Sequence, residues 1–371
     1  MGGPAAYAAE RVQRDFVTAL PESPPALDVL EVAARALLRS VPADIWCTVL
    51  LDPSTLLDTG GQHAYGFPDS VLPRLFEIEH IEQEGVDNLR RLAARRTTAS
   101  VLSDSARDEL DSSVYYRDIL RPQGFSDELR VLLRAGNQVW GLLVMCRSGG
   151  NGFSTRDLAV ARALTKPASQ ALRGSLLLTG IDEGQVADAA GMLVLDEAHR
   201  VVSTNPTAER WLADLQDDPP GPDRLPNAVR ALATRARSAS VHGQVRSLAR
   251  TRSARWATLE GFALSGSDGP RTAVAIRPAD PTHLTPIILD TYGLSPRERE
   301  VMQCVLLGFK PASIARRLKV TTDTVHKHIQ SACRKAETDN REDFTSNLFF
   351  TRYLPKLAAP PLTTDGRLMD E

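Results

Sequence analysis

Residues 294–335 read LSPREREVMQCVLLGFKPASIARRLKVTTDTVHKHIQSACRK, and the local chemistry of this stretch spells three short helices. Ser295 is a good N-cap, Pro296 suits the first helical position, and Glu298 falls at the third, completing a capping box. Val301, Met302, Val305 and Leu306 then recur at helical spacing with one buried face. Gly308, just past the pattern, can supply a left-handed C-cap. Pro311 fits the first turn of a second helix with the apolar stripe Ile314, Ala315 and Leu318, where Ala315 is small enough for close helix approach. After the tight connection Lys319-Val320-Thr321, Thr321 caps a third helix from Thr322 to about Lys335. That helix would bury Val325, Ile329 and Ala332 and present Asp323, His326, Lys327, Gln330 and Arg334. A donor-rich outer face on the second helix of a helix-turn-helix suits insertion into the major groove.

The segment resembles the LuxR-type helix-turn-helix family of bacterial transcription regulators. The matching residues are the run Leu294 to Val301, then Gly308, Ile314-Ala315, Leu318, Thr324-Val325, His328, Lys335 and Arg341, over about 60 of 371 residues. The resemblance implies that His326, Lys327 and Gln330 face base edges, with Arg334 on the same outer face. Thr321, Thr322 and Lys310 would lie near phosphates. The chain departs from the family at His326, where a lysine is usual, at Ser313, where an acid is usual, and at Ala336-Glu337-Thr338, where Leu-Gly-Val is usual. These departures leave the operator sequence open. A further amphipathic helix, Arg341 to about Tyr353, sets Phe344, Leu348 and Phe349 on one side. In this family such a helix can pair with its copy in a dimer; the same residues can equally close their own domain's core.

Composition agrees with a soluble multidomain protein. At 371 residues, 42% hydrophobic and 24% charged, two or three domains are expected. Residues 294–356 hold 12 Lys/Arg against 7 Asp/Glu, a balance of +5, which leaves −7 for the rest of a chain whose net charge is −2. A positive end on an acidic body fits a phosphate-contacting module. Cys47, Cys146, Cys304 and Cys333 have neither zinc nor redox spacing and read as buried reduced thiols. No secretory signal and no apolar run of about 20 residues is evident, so a cytoplasmic location is expected.

Before the reader, residues 1–25 read as a flexible arm with one helical stretch. A helix from about Ala26 to Ser40, a strand Ile45 to Leu51, helical segments near 86–95 and 113–120, and strands 128–133 and 139–147 follow. Gly136-Asn137 between the last two signals a hairpin. Ser154 caps a helix toward Leu178, expected to break or kink near Pro167. Residues 26–180 resemble a GAF domain, most tellingly at Gly124 to Arg130, Val139-Trp140-Gly141-Leu142-Leu143 and Phe153-Ser154. Residues 182–280 resemble a PAS domain, through the strand, turn, strand and Asn-led helix of Leu193 to Leu212. A linker, 278–285, leads to the reader at 286–358, and 359–371 form a tail. The fold class expected is thus α+β GAF-like, α+β PAS-like and all-α helix-turn-helix.

GAF and PAS domains often hold a small ligand. The candidates here are His63, Tyr65, Phe76, Tyr115 and Tyr116, with Glu77, Glu79, His80, Glu82 and Arg117 nearby, a mix of aromatics and polar handles suited to a pocket. The alternative is that the aromatics fill a core and the charges are solvated. His63 and His80 are weakly spaced for a metal, and no metal or cofactor is assigned. No phosphate-binding G-x-x-x-x-G-K-[ST], no G-x-S-x-G elbow and no phosphoacceptor pattern occurs, so no enzyme is expected. The expected function is a homodimeric regulator that binds double-stranded DNA and senses a ligand or partner through its body. The competing expectation is a GAF/PAS interaction scaffold whose helical tail does not bind DNA.

Overall fold

The computed structural model describes residues 4–22, 24–63, 65–95, 97–106, 109–135, 138–150, 152–178, 190–218, 225–238, 244–253, 255–265, 269–279 and 281–352. The Gly136-Asn137 turn, residue 280 and the tail 359–371 lie outside them. The chain forms two compact units, which divide between Ala279 and Pro281.

Unit 1 holds two lobes. The first comprises α1 (Pro4–Ala19), α2 (Ala26–Leu38), β1 (Ile45–Leu51), β2 (Asp58–Gln62), α3 (Leu72–Glu77) running into a π-helical turn (Ile78–Glu82), α4 (Leu89–Ala94), β3 (Ala99–Val101), α5 (Leu102–Ala106), a second π turn (Tyr116–Leu120), the hairpin strands β4 (Phe125–Ala135) and β5 (Gln138–Ser148), and α6 (Thr155–Leu178). The second comprises β6 (Gly191–Leu195), β7 (Val201–Thr204), α7 (Pro206–Asp214), β8 (Gln216–Asp218), α8 (Asn227–Ala236), β9 (Gln244–Arg250), β10 (Trp256–Leu264) and β11 (Arg271–Pro278).

The expected flexible arm is instead the ordered helix α1. Ala8, Val12 and Phe16, at helical spacing, are buried where α1 packs on α6 and α2. Nor does Pro167 end its helix, since α6 continues to Leu178. Proline at 167 cannot donate to the carbonyl four residues back, Ala163. Gln13 of α1 supplies the missing donor, with Nε2 2.8 Å from Ala163 O.

The first sheet runs β3-β4-β5-β1-β2-β8 and the second β7-β6-β11-β10-β9. Counted from the first strand of each lobe, the five core strands of both sheets follow one order, 2-1-5-4-3. The sixth strand of the first sheet is β8, borrowed from the second lobe and parallel to β2 at Gly60↔Gln216. β2 reads DTGGQ, polar and glycine-rich, with no alternation to announce a strand. Its glycines have a steric cause: a Cβ on Gly61 would sit 2.1 Å from Thr48 O of β1. In the second lobe Asn205 opens α7 as expected, its Oδ1 accepting from Ala208 N (2.8 Å) and from Met192 N of β6 (3.0 Å).

Unit 2 is helical: α9 (Pro281–Thr291), α10 (Pro296–Leu306), α11 (Pro311–Leu318), α12 (Thr322–Lys335) and α13 (Arg341–Arg352). The expected linker 278–285 is thereby corrected, since α9 begins inside it and buries Leu284, Ile287, Ile288 and Leu289. Its two prolines, at 281 and 286, and the lack of an obvious cap hid it. The helices α10, α11 and α12 end alike. At α10, Phe309 N donates to Cys304 O and Gly308 N to Val305 O; at α11, Val320 N to Ala315 O and Lys319 N to Arg316 O; at α12, Thr338 N to Cys333 O and Glu337 N to Arg334 O. This is the Schellman pattern, and its left-handed residue is Gly308 (φ 80), Lys319 (φ 54) and Glu337 (φ 56) in turn.

Candidate DNA interface and sensory cavity

The opening of the quoted stretch fixes the reader's frame. Ser295 Oγ accepts from Glu298 N while Ser295 N donates to Glu298 Oε2 (2.6 Å), the expected capping box. The same oxygen meets Lys335 Nζ at 2.6 Å, tying the start of α10 to the end of α12. Burial raises the Glu298 pKa, but Lys335, Ser331 and Ser295 outweigh it and hold the carboxyl at about 2. Arg297 Nη2 donates to Leu318 O at the end of α11 (2.6 Å), and Arg299 pairs with Asp290 of α9. The charged run of this motif is therefore structural, a role that helical periodicity alone does not announce.

On that frame α12 buries Val325, Ile329, Ala332 and Cys333. Thr321 Oγ1 accepts from Thr324 N (3.1 Å) and caps the helix. Thr322, Asp323, His326, Lys327, Gln330 and Arg334 are all exposed, as are Thr321 and Lys310. Lys327 is not bare: its Nζ lies 2.8 Å from Asp323 Oδ2, one turn earlier on the same face. Phe344 and Leu348, offered as a dimer surface, are 2% exposed each and serve their own unit's core, with Phe344 against Tyr292 (centroids 5.6 Å apart). The side chain of Phe349 lies outside the described residues.

In unit 1 a cavity of ≈ 90 Å³ opens between the first sheet, α3 and its π turn. Ten of its lining residues are apolar, from Val49, Leu51 and Leu56 round to Leu142 and Val144. The structure brings His63, Phe76 and Tyr115 to this wall together with Glu79 and His80. Tyr65 is not among them; it is 51% exposed and stacks on Trp46 (5.0 Å). Nor is Tyr116, which packs against the core.

At the polar end, sequence reading named Glu79 and Tyr115 but missed Arg130 and Glu128. Arg130 of β4 is buried, with Nε 2.6 Å from Glu128 Oε1 and Nη1 2.7 Å from Glu79 Oε1, and its guanidinium lies over the Tyr115 ring (4.8 Å). Tyr115 Oη donates to Glu128 Oε2. Burial raises the Glu128 pKa against the pull of Arg130 and Tyr115. Alternation on β4 was the available signal: Glu128 and Arg130 point the same way, into the lobe rather than to solvent. His80 stacks on Phe76, and burial lowers its pKa to about 4; Glu79 opposes this, while Arg90 and Arg235 add to it. The cavity's last contributor comes from the second lobe, Asn227 at the start of α8.

Comparison with known proteins finds two family matches, one in each unit. Residues 293–347 match the family described as bacterial regulatory proteins, luxR family, and residues 25–172 match the GAF domain. No curated protein matches the sequence. Among solved structures, the GAF domain of a GAF/HD protein from Geobacter sulfurreducens is similar at 19% identity and TM-score 0.33, covering 43% of this chain and 99% of that one. Vibrio cholerae VqmA, a LuxR-type receptor, is similar at 17% identity and TM-score 0.21, covering 44% and 83%. SdiA in complex with octanoyl-rac-glycerol is similar at 12% and TM-score 0.33, covering 96% and 98%. The chain thus carries a LuxR-family regulatory domain at its C-terminal end and a GAF domain at its N-terminal end.

Proposed function

We propose that this chain is a bacterial, cytoplasmic transcription regulator in which the GAF lobe binds a small molecule and thereby controls operator binding by unit 2. The observation that carries the DNA reading is α12, packed on one face by Val325, Ile329 and Ala332 and exposed along the other. His326, Lys327 and Gln330 face base edges, Thr321, Thr322 and Lys310 approach phosphates, and Arg334 extends the same face. Asp323 holds Lys327 in the free protein and yields it to a base or phosphate on docking. Two copies read two half-sites about one helical turn apart. With Phe344 and Leu348 committed to the core, the pairing surface lies elsewhere on the chain.

The second lobe we read as PAS-like. Its Asn205-capped helix after a strand–turn–strand opening supports this, as does a strand order equal to that of the GAF lobe. The cavity supports ligand sensing: its wall is mostly apolar, and its buried guanidinium, Arg130, is engaged by Glu128 and Glu79. Lys327→Ala and Gln330→Ala should each cost about 1–3 kcal/mol of operator affinity and relax specificity at particular bases. Genome-wide capture followed by footprinting measures this. Unchanged footprints in both variants would sink α12 as the reader, and a DNA shift insensitive to salt would favour an interaction scaffold instead.

A further inference from the structure

The helix α8 belongs to the second lobe yet is buried nearly all round: Asn227, Ala228, Val229, Ala231, Leu232, Ala233, Thr234 and Ala236 are all inaccessible. One side packs on β2, α3 and the π turn of the first lobe, the other on β9, β10 and β11. Its small side chains permit that double approach: a Cβ on Gly261 of β10 would already meet Leu232 and Ala236 at 3.2 Å. At its start Asn227 lines the first-lobe cavity. One face further along, Arg235 Nη1 donates to His80 O in the π turn (2.9 Å). At its end Thr234 Oγ1 lies 3.4 Å from His199 Nε2, and Arg237 Nη1 donates to Glu197 O (2.7 Å), both in the turn between β6 and β7. His199 holds that turn with a left-handed backbone (φ 58).

We propose that the cavity is a two-lobe site: Asn227 supplies the amide that fixes a small neutral ligand, and α8 carries occupancy from the π turn to the β6–β7 turn. The inference rests on the cavity being the sensory site. A neutral ligand follows from the wall. The Arg130 charge is met by Glu128 and Glu79, so an anion entering would be desolvated beside a guanidinium already engaged, and most of the remaining wall is apolar. An amide, which both donates and accepts, suits a hydroxyl or carbonyl on an otherwise apolar body. Coupling follows from rigidity. The lobes are also joined by β8 on β2, by Leu248 N donating to buried Asp52 Oδ2 (2.9 Å), and by Arg250 Nη1 on Leu176 O (2.6 Å). A shift in the π turn therefore reaches α8 rather than dissipating in a loose interface.

Hydrogen exchange of the full chain, with and without phenol as a neutral ring bearing one hydroxyl, tests this. Phenol is expected to slow exchange in α3 and the π turn and, with them, in α8 and residues 196–199. Protection of α3 and the π turn with α8 unchanged would overturn the coupling and leave the cavity standing. No protection anywhere would overturn the cavity reading, and this inference with it. Asn227→Ala should weaken phenol binding about fivefold, the worth of one hydrogen bond. Arg235→Ala, outside the cavity wall, should keep phenol binding but lose the protection of residues 196–199. Wild-type behaviour in both variants would overturn the proposal, and should Asn227→Ala fail to fold, retained protection of residues 196–199 in Arg235→Ala alone would overturn it.

Discussion

Two residues of the reader sit where side chains are disfavoured. Lys319 and Glu337 occupy the left-handed position that Gly308 fills without strain. Glu337 stands where the LuxR-type pattern usually has glycine, so that departure now has a physical meaning: the motif's geometry is kept and the strain is accepted. Glu337→Gly should therefore stabilise unit 2 by about 1 kcal/mol, read as a higher denaturation midpoint. Glu298 makes the opposite kind of contribution. Its pKa is lowered from 4.5 to about 2 in the folded unit. The stabilisation is then fully present above pH 4.5 and is lost as pH falls toward 2. It amounts to about 3 kcal/mol. Glu298→Gln should flatten the acid limb of the unfolding curve over that window while lowering stability at neutral pH. An unaltered acid limb would show that the link to Lys335 does not matter.

At the scale of elements, α1 and α6 are joined by a repair. The carbonyl that Pro167 leaves without a helical donor is met by Gln13. Gln13→Ala should cost about 0.5–1.5 kcal/mol in the parent and much less beside Pro167→Ala, where the helix satisfies its own carbonyl. A double-mutant cycle with no coupling would contradict the assignment. The same scale shows why parts of the fold were readable and others not. Capping residues and a period of 3.6 announce α10 and α12, and continuous apolar runs announce β1, β4 and β5. β2 owes its strand state to β1 and β8 on either side, and α9 owes its helix to the core it covers; neither cause is local. The cavity followed suit: Phe76, His63 and Tyr115 were suggested by residue type, whereas Arg130 and Asn227 are there because a strand pairs and a distant helix docks.

The whole molecule divides a basic reader from an acidic body, the balance being +5 in residues 294–356. Affinity for DNA should fall linearly on logarithmic axes as salt rises, with a slope set by the few phosphates neutralised. Because each unit has its own core, heating should give two transitions, and Glu337→Gly should move only one of them; a single merged transition moved as a whole would count against independent units. The borrowed strand β8 carries a different consequence, one of birth order. β2 pairs with β1 on one side and waits for residues 216–218 on the other. On a ribosome adding roughly 5–20 residues per second, that edge stays unmatched for about 10–30 s after it emerges. During that interval the nascent first lobe offers an open template to any neighbouring chain, so crowded polysomes would be the setting in which this protein misassembles, and truncation before 216 would make the hazard permanent.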